Sequence, residues 1–422
     1  MDRKDRWLST LLLLFTASFF ISFLVPLKFF ILGLLVLYTL FHNSWSEKLT
    51  LLKDRKYLWF MLAFFAFIIL SLLLSTNREA GLRSLQLRLP LLLFPLSLGL
   101  VKLSKPGKDK ILLGIAIIVT VSCLASLRWA IHQYLQKDDS AWLYNDALSL
   151  LIGQQSIYTS VFVNISIYFF AYHLLYLRYR LVYRLLMTFA ILFLFVTSYL
   201  LASRNMMLLL YLSVIVFSLF YILSKKKYLL GFATLLILLA GAFSFFYFFP
   251  KTINRFRELA FTQFDYKSEG AESHYAGELT AHQWNGANFR LAAWQCGWEL
   301  FKEHPVTGVG IGDKKDELFR VYREKQFQFA IKTRKNVHNN YLDILYSMGF
   351  VSLLLFLAGW IFLPASRFIR NRDGLAILTI LTLAFAMITE NYFDRSIGAM
   401  LFPFLVCLFC SFQNQQASTT RQ

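Results

Sequence analysis

The chain has 422 residues, 57% of them hydrophobic, 18% aromatic and only 16% charged. Soluble domains carry about a quarter charged residues, and the apolar runs of about 20 residues that recur here from end to end are each long enough to cross a bilayer. This excludes an ordinary soluble protein, and the runs are too long and continuous for barrel strands. A net charge of +19 does not indicate nucleic-acid binding, because Lys and Arg punctuate the ends of apolar runs and form no single soluble face.

The expected fold class is therefore an all-α polytopic membrane protein. About 12 spans are read in chain order: Leu8–Val25, Phe29–Phe41, Tyr57–Ser75, Leu89–Val101, Ile111–Ile131, Ile157–Leu177, Leu185–Leu201, Met206–Leu223, Leu229–Phe249, Tyr341–Leu363, Leu375–Ile388 and Ile397–Phe412. The first follows Met1–Arg6 directly, lacks a small-residue cleavage site and reads as a retained span. Residues 1–250 would hold spans one to nine, 251–340 one large outer loop with catalytic elements, and 341–422 the last three spans. With the N-terminus inside, every predicted inner loop is basic, as in Lys102/Lys105/Lys108/Lys110 and Arg367/Arg370/Arg372; both termini are then cytoplasmic. Cys123, Cys407 and Cys410 fall in apolar runs and Cys296 in the loop, so no disulfide framework is expected.

Charges on the outer side stand against that pattern. Arg78, Arg83 and Arg88 follow the third span, and Arg88 lies near membrane depth just before Pro90. In "VTSYLLASRNMMLLLY" the only charge is Arg204, in a tight outward turn between the seventh and eighth spans. Each of these arginines reads either as a snorkelling helix-end marker or as an anion ligand within the membrane boundary.

The long loop contains "NFRLAAWQCGWELFKEHPVTGVGIGD". Leu291, Trp294, Trp298 and Phe301 recur at helical spacing, Arg290 lies one turn before Trp294, and the helix should end near His304-Pro305. Gly308, Gly310 and Gly312 are not followed by Gly-Lys-Ser/Thr, so they read as close-approach or tight-turn residues rather than a phosphate loop. His274 and His282, with Glu272 and Glu278, have no recognised ligand spacing. In "VHNNYLDILYSMGF", Asn339 is a plausible N-cap. His338 before it sits at the positive end of a helix dipole, which favours an uncharged imidazole; it reads either as a packing residue or as a general base. Glu390, Asp394 and Arg395 mark the outer end of the last hairpin. Asp-x-Asp, His-Glu-x-x-His and Gly-x-Gly-x-x-Gly motifs are missing, so neither a metal, a cofactor nor a nucleotide-sugar donor is expected.

Taken in order, "SRNMMLLL", "FRLAAWQCGWELFKEHPVTGVGIGD" and "HNNYLDILYSMGFVSLLLF" resemble the motifs of the O-antigen ligase and O-antigen polymerase superfamily, flanking the same outer loop. The resemblance implies a GT-C-type, metal-independent, inverting glycosyltransferase in the bacterial inner membrane, with its site facing the periplasm. Its donor would be a glycan on undecaprenyl pyrophosphate and its acceptor a sugar hydroxyl, most typically on lipid A–core. By position, Arg204 and Arg290 would bind the donor pyrophosphate and His338 would activate the acceptor; from the residue reading, Arg88 is a further candidate for the pyrophosphate, and Asn339, Glu390 and Arg395 are candidates for supporting roles. Many relatives carry a histidine before the sixth span; here "IGQQSIYTSVF" offers Gln154, Gln155 and Tyr158 instead. The ligase is the leading expectation. A polymerase acting on lipid-linked repeat units, a protein O-oligosaccharyltransferase and, from a different class, a lipid-linked oligosaccharide flippase are the alternatives.

Overall fold

The computed structural model describes residues 2–22, 25–223, 226, 228–248, 256–270, 272 and 283–412. Among these, β-structure is confined to two isolated bridges, Leu103–Phe412 and Glu272–Trp284, and the rest of the regular structure is helical. Among the described residues, five helices are long and apolar enough to cross a membrane: Lys56–Leu74, Lys105–Lys137, Ser156–Tyr176, Leu181–Leu201 and Asn340–Arg370. A sixth is obtained if Pro26–His42 and Trp45–Asp54, bent by 101° at their junction, count as one span. Shorter apolar helices include Arg204–Phe220, Gly374–Ala386 and Ser396–Ser411.

The helical membrane class is thus as expected, while fewer helices reach spanning length than the 12 apolar runs. The run at Leu89–Val101 shows why. Pro95 lies inside a seven-residue helix, Pro90–Leu96, and the chain leaves it through a 3-10 turn at Leu98–Leu100. Hydropathy is blind to that break, because proline is apolar but has no amide hydrogen to continue a helix.

The chain divides into two compact units: Met1–Ile118, Tyr266–Glu269 and Arg290–Gln422 form the first, and Val119–Asp265 with Gly270–Phe289 the second. The described residues of the 251–340 segment are divided between these two units.

In the first unit the last helix, Ser396–Ser411, is the central post: every residue from Ile397 to Ser411 is buried. Phe404 packs on Phe15 and Phe94, with ring centroids 5.1 and 5.7 Å away. Phe402 packs on Phe356, Trp360 and Phe393. Against this core the Lys56–Leu74 helix buries Met61, Phe64, Phe65 and Ile68 and exposes Trp59, Phe60, Ile69, Leu70 and Leu73. A helix whose outward face is as apolar as its inward face is soluble only in lipid.

In the second unit Ser156–Tyr176 is largely buried and packs along Leu181–Leu201. Its polar side chains are used internally: Asn164 Nδ2 donates to the Met206 carbonyl at 2.8 Å, and the Tyr168 hydroxyl lies 3.1 Å from Ser213 Oγ.

Candidate functional site

The first unit positions His338 through a knot between two chain segments. Asn339 caps the Asn340–Phe356 helix, its side-chain oxygen accepting from the amides of Tyr341 at 3.0 Å and Leu342 at 3.1 Å. The backbone then locks onto the turn after Gly374–Ala386: Asn339 N donates to Asn391 Oδ1 at 2.6 Å, Asn340 N to the Met387 carbonyl at 2.9 Å, and Phe393 N to Asn340 Oδ1 at 3.0 Å. His338 itself is in the left-handed region, φ 47°, with its amide donating to Asn336 Oδ1 at 3.0 Å. Non-glycine residues seldom adopt that conformation, and it persists where the surroundings over-determine it.

The outcome is a histidine–carboxylate pair. His338 Nδ1 lies 3.2 Å from Glu390 Oε2, with the imidazole 25% exposed and the carboxylate 9% exposed. An ionised carboxylate only accepts, so a neutral His338 facing this partner would carry its hydrogen on Nδ1 and keep the lone pair on Nε2. That is the arrangement of a general base held by an orienting acid.

Beside this pair lies a buried four-charge cluster. Arg88 is 1% exposed, and its Nη2 stands 3.1 Å from Asp394 Oδ1 and 3.6 Å from Asp343 Oδ2. Lys314 Nζ contacts Asp343 at 2.7 Å and Asp394 at 2.6 Å. Tyr346 and Asn391 donate to Asp343, and Asn391 also to Asp394, which ties the cluster to the turn holding Glu390. Two cations thus face two carboxylates, Asp343 buried and Asp394 partly exposed. Burial works to raise the Asp394 carboxyl, but Lys314 and Arg88 outweigh it and hold the group well below the usual carboxylate range. Arg88, expected at the donor pyrophosphate, therefore has its guanidinium engaged by protein carboxylates. Arg83, on the same helix, is exposed and pairs with Glu79.

The glycine run is a close-approach strip. Val309 N and Gly310 N donate to the carbonyls of Tyr346 and Ser347 at 3.0 and 2.9 Å, and Phe350 N donates to the Pro305 carbonyl at 3.0 Å. These bonds bridge the break at Gly349, φ 80°, inside the Asn340–Phe356 helix. Ile311 N and Gly312 N donate to Ser71 and Ser75 hydroxyls, each at 3.0 Å. A Cβ at Gly308 would stand 2.3 Å from the Met348 amide nitrogen, and one at Gly349 would stand 1.9 Å from the Val306 carbonyl oxygen. The strip ends at Asp313, where burial is outweighed by the amides of Asn77 and Thr76, which hold the carboxyl below its ordinary range.

Arg290 lies in the first turn of the Asn288–Glu303 helix, which ends just before His304-Pro305 as expected. Its buried face differs from the apolar stripe read from spacing. Ala292, Ala293, Cys296 and Leu300 are buried, whereas Trp298 is 50% exposed. Small residues face inward because the helix packs closely; Gly297 lies against Val337 and Leu342. Trp294 is half-buried and its Nε1 donates to the Val337 carbonyl at 2.9 Å, adjacent to His338.

In the second unit, Leu181–Leu201 ends in a left-handed residue, Ala202, φ 50°, and Arg204 opens the next helix, so the tight hairpin is as expected. Arg204 is 7% exposed and Tyr158 1% exposed. Arg395 is exposed, next in the chain to Asp394 of the cluster. His274, Glu278 and His282 lie outside the described residues.

Sequence reasoning missed Lys314. It stands in the polar run Asp313–Glu317, where nothing separates it from Lys315, which the structure leaves exposed. Asp343 and Asp394 were visible as charges near apolar runs, but their pairing with Arg88 joins residues some 250 to 300 positions apart.

In comparison with known families, residues 189–357 match the family model described as O-antigen ligase. No curated protein matches the chain. The matched stretch contains Arg204, Arg290, Lys314, His338 and Asp343, and leaves out Arg88, Glu390 and Asp394.

Proposed function

We propose that this chain, a membrane protein of the O-antigen ligase superfamily whose residues 189–357 are the family's domain, transfers a glycan from undecaprenyl pyrophosphate to a sugar hydroxyl of lipid A–core. The reaction takes place on the periplasmic face of the inner membrane, in a GT-C-type arrangement of about 12 spans with both termini cytoplasmic. The observation that carries this reading is the contact between His338 Nδ1 and Glu390 Oε2 at 3.2 Å, formed by the family motif and a hairpin outside it.

His338 Nε2 takes the proton of the acceptor hydroxyl as its oxygen attacks the anomeric carbon, while Glu390 holds the ring and balances the charge that appears on it. Attack opposite the leaving group inverts that carbon. The glycosidic bond to the pyrophosphate breaks, and the growing negative charge falls to Arg204 and Arg290, whose planar forks suit phosphate oxygens. No metal ion is required in this scheme. Arg88, already engaged by Asp394, acts as a positioning residue: with Lys314 and Asn391 it fixes the turn that presents Glu390.

The test is transfer in vitro from a defined undecaprenyl-linked glycan, offered lipid A–core, a second lipid-linked unit or a pilin-like protein in separate reactions. The expected result is a lipid A–core product that survives chelator and is lost in His338→Ala. Product only on the second lipid-linked unit would reassign the protein as a polymerase, and product only on the pilin-like protein as an O-oligosaccharyltransferase. If no donor is consumed, and cells carrying Arg204→Ala or His338→Ala display normal glycan, the enzyme reading fails and the flippase class gains.

A further inference from the structure

A cavity of about 600 Å³ lies within the first unit, away from His338, at the start of Lys56–Leu74 and the end of the Asn340–Arg370 helix. The Lys56–Leu74 helix is 19 residues long, so its two ends are roughly 28 Å apart. Ser71 and Ser75, which meet the glycine strip, mark the far end. The cavity wall carries Arg55, Lys56, Lys102, Arg367 and Arg370 against a single acid, Asp54.

Two of these cations are built in rather than loose on the surface. Arg55 is 5% exposed and donates from Nη1 to the Gly99 carbonyl. Arg367 donates from Nη1 to the Tyr57 hydroxyl at 2.8 Å and lies over that ring at 5.7 Å. Lys56, Lys102 and Arg370 are exposed around them. The Lys56–Leu74 helix also starts without a side-chain cap, although Arg55 and Lys56 stand at its positive dipole end. Cations there are disfavoured unless an anion joins them, and free helix amides are themselves anion donors. The rest of the lining, Leu51, Leu363 and Phe412, is apolar, and Phe362 and Ile369 are exposed beside it. A cationic floor with apolar flanks, at the ends of two helices long and apolar enough to cross a membrane, matches a phosphate ester attached to acyl chains better than a free ion.

We propose that this cavity binds the phosphate headgroup of an anionic phospholipid, on the opposite membrane face from the candidate catalytic pair. The test uses the full chain purified in detergent, with bound lipid read by native mass spectrometry and thermal unfolding followed on titration with phosphatidylglycerol, phosphatidylcholine or inorganic phosphate. The proposal expects saturable stabilisation and retained lipid with phosphatidylglycerol only. It also expects about a tenfold or greater loss of retention in Lys102→Glu/Arg370→Glu, whose side chains are exposed. The lipid-free unfolding temperature of that variant checks its folding; if it drops, Lys102→Gln and Arg370→Gln singly take its place and should each weaken retention. Equal retention of phosphatidylglycerol by wild type and folded variants would overturn the proposal, as would equal retention of phosphatidylcholine. Protection by inorganic phosphate with none from the lipid would show an ion site and sink the lipid assignment.

Discussion

At the scale of single residues, His338 and Glu390 are the pair on which the proposed chemistry turns. Removing a positioned general base typically lowers turnover by about 10²–10⁴-fold, so His338→Ala should fall in that range with donor affinity little changed. Glu390→Gln keeps the shape but donates an amide hydrogen or presents a neutral oxygen to the ring. It should reduce kcat while leaving KM near wild type, which steady-state kinetics on the defined donor would resolve. An unchanged kcat would mean that Glu390 serves packing alone. Arg204→Lys asks a different question, because an ammonium keeps the charge without the bidentate fork; little rescue relative to Arg204→Ala is expected, read as donor KM and kcat together. Residue by residue, the sequence marked His338, Asn339, Arg204 and Glu390 because each departs from its surroundings: a charge beside grease, or a cap before a helix. Arg88 departed in the same way, yet the structure pairs it with Asp394 and Asp343. A buried charge signals that it needs a counterion, and sequence alone does not say whether protein or ligand supplies one.

At the scale of elements, the break in Asn340–Phe356 and the charge cluster beneath it set the position of the site, and each gives a stability prediction. Gly349→Ala places a Cβ 1.9 Å from the Val306 carbonyl oxygen at φ 80°, so both sterics and backbone oppose it. Gly33 is the control: it is helical, and a Cβ there meets nothing within 4 Å, so Gly33→Ala should stabilise by about 0.5–1 kcal/mol. Thermal unfolding in detergent should show opposite signs for the two. Lys314→Met leaves Asp343 and Asp394 sharing Arg88 alone. Breaking a buried pair by removing one partner costs about 3–5 kcal/mol, so a marked drop in unfolding temperature is expected; a shift near zero would mean the carboxylates are neutralised in another way. The contribution of Asp394 to the pH dependence has a definite sign. Asp394 is held below its ordinary value, so its contribution is fully present above about pH 4, where an unfolded aspartate is ionised, and is lost as pH falls below that. The unfolding temperature should therefore be insensitive to this group between pH 5 and 8 and decline under stronger acid. Lys314→Met should weaken that acid decline, because the larger of the two cationic influences that depress the Asp394 carboxyl is gone and Arg88 alone remains.

At the scale of the whole molecule, composition and hydropathy made the helical membrane class legible, since long apolar runs have no other stable home. They did not give the number of spans. Leu89–Val101 and Ile397–Phe412 look alike as apolar runs, yet the first breaks after a short helix containing Pro95 and the second is a buried post with Pro403 inside it. A core-facing helix and a lipid-facing one carry the same residues, so hydropathy cannot separate them; neighbours decide. Orientation rests on a different signal, the basic inner loops, and it yields the last prediction. If the N-terminus is cytoplasmic, the Arg55–Lys102–Arg370 end of the first unit faces the cytoplasm, and His338 and Arg395 face the periplasm. Single cysteines introduced at exposed positions report this directly, after the four native cysteines, all buried, are replaced by serine or alanine with retained glycan display as the check. In intact cells a membrane-impermeant maleimide should label Arg395→Cys and Arg83→Cys and spare Lys102→Cys and Arg370→Cys. After permeabilisation all four should label. The reverse pattern would invert the topology and place the candidate catalytic pair on the wrong side for a periplasmic acceptor, whereas labelling of Lys102→Cys together with Arg395→Cys in intact cells would break the alternation of spans between them.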